Sequence, residues 1–222
     1  MMHGLPLRNL DHLLLLGAHC DDIAVGAGGT VLSLCRAQPG LRITALVLTG
    51  GGTVRESEER MALTALCPKA DLDLTILDIP DGRLPAHWDR AKDAMEALRS
   101  RCDPDLVLAP APHDAHQDHR GLAQLVPTAF RDHLVAGYEI LKWDGDLAQP
   151  QAYVPLDREV LTDKVAVLHE HYSSQRHRPW FDSETFVSLA RIRGVQCHSR
   201  YAEAFHVPKF VLRPNAPTAG RA

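Results

Sequence analysis

Four short apolar runs recur along the chain, each bounded by turn residues: HLLLLGA (12–18), RITALVLTG (42–50), LDLTILDI (72–79) and DLVLAP (105–110). Each is too short for a buried helix, and their branched residues suit strands covered on both faces. Between them, helical patterning runs over 24–37, over 54–66 behind Thr53 and Glu56 as a capping box, and over 87–101. Strands that alternate with helices form a parallel sheet, because parallel neighbours need crossover connections.

The expected fold is therefore α/β: a Rossmann-like three-layer sandwich around a mainly parallel central sheet, in one domain over 1–222 with a frayed tail at 213–222. Further strands are expected at YEILKW (138–143) and KFVLR (209–213), and helices at 157–171 and 183–193. In open parallel sheets ligands bind outside the carboxyl ends of the strands. AHCDD follows the first run, TGGGTVRE the second, PDGR the third and APHDAHQDHR the fourth, so a site is expected there.

Composition narrows the partners. Hydrophobic residues make up 45% and charged residues 23%, with a net charge of -4, and no basic stripe offers a footprint for a phosphate backbone. No nucleic acid is expected, and LLLL is too short for a membrane span or a secretory signal. The five cysteines are scattered and form no CxxC pair, so reduced thiols and a cytoplasmic location are expected. A homo-oligomer is left open.

Two clusters carry the chemistry. HCDD places His19 beside Asp21 and Asp22, and PHDAHQDHR supplies His113, Asp114, His116, Asp118 and His119. Imidazole and carboxylate form the ligand set of zinc or another first-row divalent ion, and two histidines with one carboxylate leave a coordination position open, as in catalytic sites. A single His or Asp in a loop is ordinarily solvated or capping, and Asp21 or Asp22 can cap the helix that follows. Two such clusters on strand ends of one sheet favour the metal.

Three other features weigh less. GAGG (26–29) lacks the third glycine of a dinucleotide fingerprint, since Val31 stands there, and close packing of the helix start is its expected role. Cys20 beside His19 suggests a nucleophile, but adjacent residues rarely face each other, and a small residue filling a turn is the expected reading. Arg176, His177, Arg178 and Trp180 form a basic, aromatic patch that suits either solvent or an anionic conjugate.

AHCDD after a strand, joined to HQDH about a hundred residues on, resembles the PIG-L (LmbE-like) family of zinc-dependent N-deacetylases, whose signatures are AHPDD and HxDH. TGGGTVRESEER, SSQ (173–175) and YAEAF (201–205) resemble further family motifs in the same order. The resemblance implies His19, Asp22 and His119 as ligands of Zn2+, Asp21 as general base, a protonated His116 stabilising charge on the intermediate and Asp118 orienting a histidine. Arg55 and Asp81 would hold sugar hydroxyls of a small N-acetylated substrate, attacked by metal-activated water. Cys20 replaces the family's proline, Ile23 its frequent glutamate, and Asp114 stands where some members carry an oxyanion-binding tyrosine. A metal-dependent amidase of another acyl amide and a non-catalytic metal-retaining protein are the alternatives.

Overall fold

The computed structural model describes Leu7 and residues 10–211. Among these, strands β1 (His12–Gly17), β2 (Arg42–Thr49), β3 (Asp71–Ile79), β4 (Leu106–Pro110), β5 (Leu134–Tyr138), β6 (Ala152–Leu156) and β7 (Tyr201–His206) form one sheet in the order β3-β2-β1-β4-β5-β7-β6. The first five are parallel, and β7 runs antiparallel between β5 and β6. The α/β class is thus observed, with a mainly parallel sheet.

Both faces of β1 are covered. Leu13 and Leu15 enter one apolar cluster, which includes residues of α1 (Asp22–Ala37), α2 (Val54–Leu66), α5 (Arg158–His171) and α6 (Ser183–Gln196). Leu14 and Leu16 enter the other, beneath α3 (Trp88–Arg101) and α4 (Gln117–Ala129). The period of two sends alternate leucines to opposite faces, which is why LLLL is apolar throughout. Strand order reverses between β1 and β4, and their carboxyl ends open the switch-point crevice where AHCDD and PHDAHQDH lie.

Four expectations need correction. YEILKW is not a strand: β5 ends at Tyr138, so Lys142 and Trp143 lie in a loop. Residues 209–211 are coil, residues 212–222 with the expected tail lie outside the described residues, and the closing strand is β7. The segment after HQ is helix α4, so Asp118 and His119 stand on its first turn rather than in a loop. In the capping box both bonds are displaced by one residue: Thr53 Oγ1 accepts from the Arg55 N–H at 3.1 Å, and Glu56 accepts from the Gly52 N–H at 2.7 Å.

GAGG does serve close packing. A Cβ on Gly26 would lie closer than 3.0 Å to the Tyr138 ring, whose hydroxyl donates to Leu16 O at 2.6 Å. Gly29 sits against β7: the Glu203 carboxylate accepts from the N–H groups of Gly29 and Thr30 at 2.8 and 2.7 Å. Lys164 of α5 donates to Val25 O and to Glu203 Oε1, both at 2.6 Å, and so ties α1, α5 and β7 together. Gly26→Ala is expected to cost about 1–3 kcal/mol through overpacking. Chemical denaturation measures this, and an unchanged midpoint would contradict the packing.

Candidate active site

The turn that closes β1 is folded by Asp22. Its Oδ2 accepts from the N–H groups of Ala18 and His19, both at 2.9 Å, so neither aspartate caps α1 through its side chain. Asp21 takes φ 127°, a strained conformation for a residue with a Cβ, which the tight turn over-determines. Adjacency then separates the two carboxylates: Asp22 faces the histidines, whereas Asp21 meets Arg55 Nη2 at 3.1 Å.

Three side chains from the two clusters converge. His19 Nδ1 lies 3.0 Å from His119 Nε2 and 3.6 Å from Asp22 Oδ2, and His119 Nε2 lies 3.3 Å from Asp22 Oδ1. Tetrahedral zinc with bonds of about 2.0–2.1 Å has ligand–ligand edges of about 3.3 Å, so these separations fit such an ion. The outer nitrogens are already engaged. His19 Nε2 faces Asp118 Oδ2 at 3.2 Å and Asp81 Oδ1 at 3.1 Å, and His119 Nδ1 faces Asp114 Oδ2 at 2.8 Å. These carboxylates accept from the outer nitrogens, and the inner nitrogens of the two rings point at each other and at Asp22, the arrangement of metal-binding histidines.

The electrostatics point the same way. Burial opposes charge on His119, but Asp22 and Asp114 outweigh it and raise the imidazole to about 9. Burial likewise pushes Asp22 up, yet the charges of His119 and His19 hold it well below the usual carboxylate range. The cluster is therefore built to hold positive charge, and a divalent cation displaces protons from such a set. His19, His116 and His119 also lie close enough to offer an all-imidazole set.

Asp21 is pushed up to about 6, first by burial, with the Arg55 charge opposing and Asp22 adding to it. A buried carboxylate tuned towards neutrality suits proton transfer. His116 caps α4, its Nδ1 accepting from the Asp118 N–H at 3.2 Å, which leaves the proton on Nε2. Burial lowers its pKa, as do the neighbouring His19 and His119. Asp118 is fully buried and accepts from the Gly82 and Leu84 N–H groups at 2.8 and 3.1 Å, tying the loop after β3 to His19.

Arg55 and Asp81 both line the open cavity of about 110 Å³ that holds Asp21, His19, His116 and His119. Cys20 does not: its thiol is 1% exposed, is pushed up by burial and donates to Thr49 O at 3.3 Å, so the turn-filling reading holds. Asp114, which stands where some family members carry a tyrosine, bonds His119 Nδ1 at 2.8 Å and pairs with Lys142 Nζ at 2.9 Å. Its five-residue spacing before His119 was the available signal. Glu58 joins two motifs, accepting from Ser173 Oγ at 2.9 Å and from Ser174 N–H at 2.8 Å.

Glu59, beside it, accepts from the Tyr172 hydroxyl at 2.6 Å and is pushed up to about 8 by burial. Its folded pKa lies above the unfolded value of about 4.3, so its stabilising contribution is complete below that pH and is lost as pH rises through about 8. Melting temperature between pH 5 and 9 is expected to fall more steeply for wild type than for Glu59→Gln. Parallel curves would refute the assignment.

Fold and site define an α/β protein with a polar, metal-competent cavity at the switch point of its sheet. The chain belongs to the PIG-L family: residues 14–130 match the family described as GlcNAc-PI de-N-acetylase. It is 31% identical over 177 residues to the uncharacterized deacetylase YaiS of Escherichia coli K12, covering 72% of this chain and 90% of that protein. It is 26% identical over 239 residues to the diacetylchitobiose deacetylase of Thermococcus kodakarensis, covering 93% of this chain and 87% of that protein. The solved N,N'-diacetylchitobiose deacetylase of Pyrococcus horikoshii shares the fold, with a TM-score of 0.73 and 21% identity over 91% of this chain and 85% of that one.

Proposed function

We propose that the protein is a metal-dependent hydrolase, zinc being the first candidate, that removes acetyl from an N-acetylated amino sugar or sugar conjugate. The observation that carries this reading is the convergence of His19 Nδ1, His119 Nε2 and Asp22 at 3.0–3.6 Å, with each ring's outer nitrogen already bonded to a carboxylate. His19, Asp22 and His119 would hold the ion. When bound, it supplies Lewis acidity to the amide carbonyl and lowers the pKa of water. Relatives described as deacetylases, one of them of diacetylchitobiose, support an amide of an amino sugar as substrate.

The chain's own groups supply the proton movements. Asp21, held by Arg55 at the cavity wall, takes a proton from the attacking water as its oxygen bonds to the carbonyl carbon. His116 donates from Nε2 to the carbonyl oxygen as that atom gains charge. Asp21 returns the proton to the nitrogen as the C–N bond breaks, giving acetic acid and a free amine, which separate as acetate and ammonium once the acid proton is passed on. Arg55 and Asp81, on the cavity rim, bind sugar hydroxyls, and Asp114 and Asp118 orient the two ligand rings.

Among the described residues no helix is long and apolar enough to cross a membrane, and the five cysteines are free thiols. Free thiols suit the reducing cytoplasm proposed as the protein's compartment.

Metal analysis with acetate release tests the reading. Close to one zinc per chain is expected, with acetate released from N-acetylated sugars, lost on chelation and restored by zinc. A protein that takes up no divalent metal on reconstitution would overturn the proposal. Asp114→Asn is expected to weaken zinc affinity about 10–100-fold by releasing the His119 ring, read by competition with a chelating dye. Unchanged affinity would remove Asp114 from this role.

A further inference from the structure

The cavity has a second end. Besides the His and Asp cluster it is lined by Lys142, Trp143, Gln175, Arg178 and Trp180. Lys142 is neutralised by Asp114 at 2.9 Å and Asp146 at 3.0 Å, and Arg55 by Asp21 at 3.1 Å. Arg178 makes no ion pair among the described residues, and its buried Nε has no hydrogen-bond partner. Two residues on, the buried indole N–H of Trp180 also lacks one.

Both groups are donors only, and buried donors without acceptors are rare in folded proteins. Both residues belong to one turn that lines the cavity, in which Arg178 N–H donates to Gln175 O at 2.9 Å and Phe181 N–H to Arg178 O at 3.0 Å. Trp143 stands edge to face with Trp180 at 6.2 Å and is 63% exposed, offering an aromatic face at the cavity mouth.

The geometry points to an anion subsite: Arg178 and the Trp180 indole receive a phosphate or carboxylate carried by the amino-sugar substrate, whose ring packs on Trp143. This rests on the proposed deacetylase reading and adds the substrate's charge to it. Both anions offer oxygen acceptors, and a guanidinium fork suits either.

The test compares acetate release by the zinc-loaded protein from N-acetylglucosamine 1-phosphate, an N-acetylglucosaminide with a carboxylate aglycone, and the methyl glycoside. An anionic substrate is expected to show a kcat/KM at least about tenfold above the methyl glycoside, mainly through KM, and Arg178→Met is expected to bring the ratio towards one. Arg178→Lys keeps charge but not the fork, and retains part of the preference. The better anionic substrate identifies the group. Equal kcat/KM for charged and neutral sugars would overturn the subsite and leave the deacetylase standing.

Binding of N-acetylglucosamine 1-phosphate by calorimetry separates the two ideas, because it needs no turnover. Binding that weakens at least about tenfold in Arg178→Met supports the subsite even if no sugar is hydrolysed, a result that would count against the deacetylase alone. Binding indifferent to Arg178 would overturn the subsite.

Discussion

Asp21→Asn is expected to lower kcat for acetate release by about 10³-fold while zinc content stays at the wild-type level. The neighbouring carboxylates have separate tasks because the backbone divides them. Asp22 is fixed by the Ala18 and His19 N–H groups and faces the histidines, whereas Asp21, at φ 127°, is turned towards Arg55 and the cavity. The asparagine keeps shape and a contact for Arg55 but cannot take a proton. Steady-state acetate release with metal analysis on the same preparation measures the effect. Activity within a few-fold of wild type would remove Asp21 as base, and loss of zinc would show that it helps hold the ion.

Glu203→Ala is expected to destabilise the fold by about 3–5 kcal/mol, the cost of leaving a buried charge without its partner. For a chain of this length that corresponds to a fall in melting temperature of about 6–20 °C. The substitution strands the Lys164 ammonium and two helical N–H groups at Gly29 and Thr30. Glu203→Gln keeps an acceptor for the backbone and loses the ion pair, so it should fall between the two. Calorimetric melting decides the matter, and a Glu203→Ala protein as stable as wild type would show that solvent reaches these groups.

The two variants also separate site from scaffold. One removes a proton acceptor without touching the apolar core, and the other disturbs α1, which begins at Asp22 of AHCDD, from a strand far along the chain. A loss of activity in Glu203→Ala is expected to track its loss of folded protein.

The legible parts of the fold are those whose signal is local. LLLL and RITALVLT read as doubly covered strands because parallel strands bury both faces, and α2 matches its expected bounds because Thr53 and Glu56 mark its start. Helix α4 lacks such a local signal, since its first turn is filled by Asp118 and His119 and its last carries Pro127. β7 is hidden in the sequence because a buried glutamate interrupts YAEAFH, and the partners of that charge come from α1 and α5, far away in sequence.

For the site, the sequence alone determined the residue types and their place at strand ends. It also carried the family resemblance that the match over residues 14–130 now shows. Tertiary structure alone decided which nitrogen of each ring faces Asp22, that His116 Nδ1 caps α4, that Asp114 bonds His119, and that Arg178 makes no ion pair among the described residues. The reason is physical. Strand periodicity is written in neighbouring residues, whereas a tautomer or an unpaired charge depends on groups brought together from about a hundred residues apart.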